Sequence, residues 1–149
     1  MQNEEMESMN GNFTLSIYDD TLDFAEISRL LHTSPSSVTR KGEVLAKRTN
    51  LTAPSDSWHL QTSFGEDDES HESHDPEASL LLLLHKLRTC SEQIEYLQRK
   101  YKTVRLNAYL RSDFAQMGLD LSVETVQMIS RLGLGLGIHI LSYGGVESS

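Results

Sequence analysis

The chain has 149 residues, 38% hydrophobic and 23% charged, which is enough for one domain with a packed core. Its longest apolar run, the five leucines at 80–84, is far too short for a membrane span, and the single cysteine, Cys90, excludes an internal disulfide. The net charge of −9 sits in two segments: residues 1–12 hold three acids and 66–77 hold seven, with no Lys or Arg in either, leaving 12 acids against 13 bases elsewhere and disfavouring nucleic acid as a partner.

Residues 1–12 read as a disordered polar tail, with neither the basic start nor the apolar stretch of a secretory signal, so a cytoplasmic location is expected. Phe13-Thr14-Leu15-Ser16-Ile17-Tyr18 alternates apolar and polar side chains and predicts a half-buried strand. Asp19, Asp20 and Asp23 surround the start of a helix carrying Phe24, Ile27, Leu30 and Leu31, where capping is their ordinary use. That helix must stop near Thr33, because Ser34 precedes Pro35. The connection 34–57 is long and partly basic, punctuated by Pro35, Gly42 and Pro54, and has room for short strands that show no periodicity.

Ser57-Trp58-His59-Leu60-Gln61-Thr62 predicts a second strand, followed by an acidic loop at 65–75. Asp75-Pro76-Glu77 then has the chemistry of a helix start. Leu80, Leu83, Leu87, Cys90, Ile94, Leu97 and Tyr101 form one apolar stripe, which favours a single long helix. Thr89-Cys90-Ser91-Glu92, however, fits a capping box that would restart a helix, so two short helices in near register are expected. Val104, Leu106, Ala108 and Leu110 mark a strand, and 116–121 a shorter one, with hairpin-like spacing between them. A last helix begins at 122–125, carries Val126, Ile129 and Leu132, and stops at Gly133; residues 136–141 close the domain as a strand.

The expected fold is α+β, a mostly antiparallel sheet with helices packed on one face, in one domain spanning 13–143 and followed by a tail at 144–149. A short echo between 22–27 and 119–124 points to two similar strand–helix halves.

The order of Ser34-Pro35, Arg40-Lys41-Gly42-Glu43, Trp58-His59-Leu60, the stretch 119–132 and the stretch 138–143 resembles the bacterial domain-of-unknown-function family 4279 over residues 13–143. The resemblance implies a fold and a bacterial origin, and no activity.

No catalytic set assembles in the sequence, so a non-enzymatic role without cofactor or metal is expected. His71 and His74, among Asp67, Asp68, Glu69, Glu72 and Asp75, have donor chemistry for a zinc-type ion but sit in a loop with little to fix them. Gly133, Gly135 and Gly137 follow a helix and precede a strand, the reverse of a nucleotide-binding order. Cys90 lies on the apolar stripe and reads as a core residue; His85 and His139 read as hydrogen-bonded structural histidines. Arg99, Lys100, Lys102 and Arg105 cluster where a helix C-terminus favours cations.

The surface singled out for a partner combines Arg40, Lys41, Lys47 and Arg48 with Trp58. The expected partner is another protein, with a toxin neutralised by this chain in the manner of an immunity protein as the specific case; membrane and nucleic acid are not expected. The alternative is a small-molecule sensor or enzyme with its site between the sheet and the 34–57 connection.

Overall fold

In the computed structural model, residues 9–65, 75–113 and 117–142 are described. The alternating segment near the N-terminus becomes strand β1 (Asn10–Asp19). It begins three residues before the expected domain start, so Asn10, Gly11 and Asn12 belong to the sheet. Helix α1 (Phe24–Leu31) follows, with Asp23 as N-cap accepting from the Glu26 amide and His32 closing it in the left-handed conformation. Strands β2 (Ser37–Thr39), β3 (Val44–Ala46) and β4 (Leu51–Thr52) lie within the long connection, and β5 (Asp56–Phe64) is the predicted Trp-containing strand.

Helices α2 (Pro76–Leu87) and α3 (Ser91–Lys100) divide the leucine stripe in two. Every residue of the stripe is buried, from Leu80 through Cys90 to Tyr101. The capping box does not form: Cys90 occupies the N-cap of α3 and makes no side-chain capping bond. The chain breaks here because the Cys90 amide turns back to the Leu87 carbonyl at 2.8 Å, while both helices keep their apolar sides on the same core.

Strand β6 (Thr103–Ser112), helix α4 (Val123–Arg131) and strand β7 (Gly137–Ser142) complete the fold. Residues 117–122 have no regular structure, so the expected hairpin between 104 and 121 is not made. Instead β6 lies antiparallel to β1 and parallel to β7, a pairing that needs the intervening α4 as its crossover. The α4 stripe is narrower than predicted, because Ile129 and Leu132 are buried but Val126 is exposed.

The main sheet runs β2-β5-β1-β6-β7, and β3 and β4 form a separate two-stranded unit. Registers place Leu15 opposite both Leu60 and Leu106, and Ile17 opposite both Trp58 and Val104. One face of the sheet is therefore continuously apolar, and the helices cover it in a single core containing Phe13, Ile27, Leu31, Phe64, Leu83, Ile94 and Leu110. Each fully buried leucine or isoleucine contributes roughly 1.5–3 kcal/mol. Thr62 and Ser79 tie α2 to β5 by donating to the Ser79 and Ser63 carbonyls.

Two strand–helix units, β1–α1 and β6–α4, contribute the central strand of the sheet and its neighbour. Their N-caps, Asp23 and Ser122, fall at different places in the echoed sequence, so the echo does not mark equivalent turns.

Candidate functional site

Between β2 and β5 the chain makes an excursion bracketed by Glu43 and Ala53, the Ala53 amide donating to the Glu43 carbonyl at 2.8 Å. Between them β3 and β4 make a hairpin that pairs only with itself, Val44 against Thr52 and Ala46 against Leu51. Gly42 takes φ +89° at its base, a conformation that side chains resist. The base is held by a residue the sequence did not single out. Asp56, 8% exposed, accepts from the Leu22 amide at 3.0 Å and from the Lys41 amide at 2.7 Å. These two backbone donors hold its carboxyl below the ordinary carboxylate range, and Arg40 and Lys41 add to the effect.

The predicted partner residues separate along this hairpin. Arg40 lies over the Phe24 ring at 4.9 Å, and the Lys41 ammonium is 3.6 Å from Asp20, so both are occupied at the base. Lys47 and Arg48 occupy the exposed turn and form no ion pair with a described residue. Trp58 is absent from this surface: it is 0% exposed, packed in the core, with its indole N–H donating to Ser28 Oγ at 3.2 Å. It cannot stack on a partner. In its place the hairpin presents aliphatic residues that the sequence reading passed over, Val44, Leu45 and Leu51, which are 56%, 52% and 56% exposed.

The second surface is the side of the sheet opposite the helices. Outward positions of β1 supply Asn12, Thr14, Ser16 and Tyr18; β5 supplies His59 and Gln61; β6 supplies Tyr109; β2 supplies Ser37. They line a shallow cavity of about 230 Å³. His59 Nδ1 lies 2.8 Å from Ser16 Oγ and Nε2 3.1 Å from Ser57 Oγ, and burial lowers its pKa from 6.5. Tyr18 meets the His59 ring edge-on at 5.6 Å, and Tyr109 stacks on His139 at 4.8 Å. Burial, with Tyr18 close by, raises the Tyr109 phenol above its ordinary value and keeps it protonated. The signal for this face was present in the alternation of each strand; the register that makes the strands converge was not.

The remaining constellations have structural explanations. Asp23 is a helix cap, Asp19 accepts from the Asp20 and Lys102 amides, and Asp20 meets Lys41, so these carboxylates do not converge. Cys90 is buried against the Leu30 and Leu31 carbonyls. His139 bonds Asn107 at 3.2 Å as expected, although its ring is exposed, and His85 is also exposed, on the outer side of α2. Lys100 is paired with Glu26 at 2.6 Å. Among the described residues no group of three or more potential ligands could hold a metal; His71 and His74 lie outside them.

These features define a small α+β domain with one helix-covered sheet face, one open polar face and a projecting basic hairpin. The chain belongs to the family described as a domain of unknown function, DUF4279, whose model matches residues 9–143. No curated protein and no solved structure matches it. No described helix is long and apolar enough to cross a membrane.

Proposed function

We propose that the protein is a non-catalytic binding module whose β3–β4 hairpin docks against another protein bearing an acidic rim around an apolar patch. The observation that carries this reading is the composition of the hairpin: three exposed aliphatic side chains, Val44, Leu45 and Leu51, beside Lys47 and Arg48, which form no ion pair with a described residue. Aliphatic groups on a small projecting element contribute nothing to the core, and their burial against a partner is favourable. The flanking cations speed encounter with an acidic surface and reject a basic one. A toxin-neutralising role is the special case in which that acidic surface belongs to a toxin.

Lys47 and Arg48 are the informative pair to reverse, since Lys41 has an intramolecular partner and its backbone anchors the hairpin. The Lys47→Glu, Arg48→Glu protein is expected to melt as the wild type does, and to associate with the partner on the order of tenfold more slowly at low salt. Equal recovery of the same partner by both proteins from the native host would remove the hairpin as the contact.

A further inference from the structure

We propose that the open face of the sheet binds a neutral, hydroxyl-rich ring, of the size and chemistry of a single sugar, in the cavity between Tyr18, His59 and Tyr109. This goes beyond the hairpin reading and uses a different surface.

The lining chemistry selects the ligand class. Asn12, Thr14, Ser16, Tyr18, Ser37, His59, Gln61 and Tyr109 include no carboxylate, no lysine, no arginine and no aliphatic side chain. Arg105 stands opposite Ser16 on the neighbouring strand but does not line the cavity, a cation would find no carboxylate in it, and an apolar ligand no aliphatic wall. What remains is a dense set of amides and hydroxyls that both donate and accept, among aromatic rings. A cyclic polyol matches both features, with alternating hydroxyls at its rim and a C–H face that packs on an aromatic ring.

Several of these groups are already fixed. Thr14 Oγ1 donates to Asn12 Oδ1 at 2.7 Å, Ser16 engages His59 at 2.8 Å, and Tyr109 is stacked on His139. Such preorganisation lowers the ordering cost of binding. The volume of about 230 Å³ is below the roughly 300–1,000 Å³ of drug-sized sites, which limits the occupant to one ring. Ser37 comes from the 34–57 connection, so the cavity lies where that connection meets the sheet.

The test is a titration of the full-length, isotope-labelled protein with D-glucose, followed by amide chemical shifts, with sorbitol and D-glucuronate in parallel. Saturable shifts confined to Ser16, His59, Gln61 and Tyr109, in the millimolar range and absent with sorbitol, are the expected result. Tyr109→Ala and, independently, the exposed Gln61→Ala should each weaken glucose binding, the first by about tenfold. Because Gln61 is exposed, its variant stays informative if Tyr109→Ala does not fold. No saturable shift with glucose, equal shifts with sorbitol, or tighter binding of glucuronate would each overturn the proposal.

Discussion

Asp56 shows how much a single side chain carries in this fold. Its two oxygens hold the Leu22 and Lys41 amides, joining the β1–α1 turn to the base of the hairpin across a nearly buried position. Asp56→Asn turns an amide nitrogen towards one of those donors, and a loss of roughly 1–3 kcal/mol is expected by denaturant unfolding. The pH dependence follows from the lowered carboxyl pKa. The stabilisation is fully present above the unfolded value of 3.8 and is lost as pH falls through the still lower folded value, so the variant should have a flatter acid limb. His59 acts in the same direction at higher pH. Its folded pKa is depressed, so the unfolded chain binds the proton first, and stability declines as pH falls below 6.5 towards the folded value. His59→Gln should remove that slope between neutral pH and the folded pKa, read as melting temperature against pH.

At the scale of elements, the two interior helix starts make opposite predictions. Ser122 caps α4 by accepting from the Thr125 amide at 3.3 Å, and Glu77 reinforces it by accepting from the Ser122 amide and from Thr125 Oγ1 at 2.8 Å. Ser122→Ala should cost about 1 kcal/mol, or about 2–4 °C in melting temperature. Thr89→Ala should change nothing measurable, because the capping box that its sequence suggests does not form. A cap is a local pattern whose use depends on where the chain must go next. For the same reason the strands with clear alternation were legible near Phe13 and Val104, and the leucine stripe correctly marked a buried surface. Strands β3 and β4, with three residues and two, are too short to show a period. The parallel β6–β7 pairing depends on contacts that no local window contains, and so does the polar face, whose Ser16, His59 and Tyr109 come from three strands. Trp58 misled because it follows a basic segment in sequence while its strand turns the indole inward.

For the whole molecule, the helices and one sheet face form the core, and no described helix covers the hairpin or the other face. Replacing 44–52 by a short turn, with Glu43 and Ala53 kept, should therefore leave cooperative unfolding intact, since that hairpin pairs only with itself. The most direct test of the docking account is in-cell photo-crosslinking from a reactive amino acid placed at position 45, compared with one at position 82. Both positions are leucines with exposed side chains, 52% and 40%, but Leu82 belongs to α2 and not to the hairpin. The account predicts one discrete protein adduct from position 45, lost in the Lys47→Glu, Arg48→Glu background, and none from position 82. No adduct from position 45, or the same adduct from both positions, would contradict it.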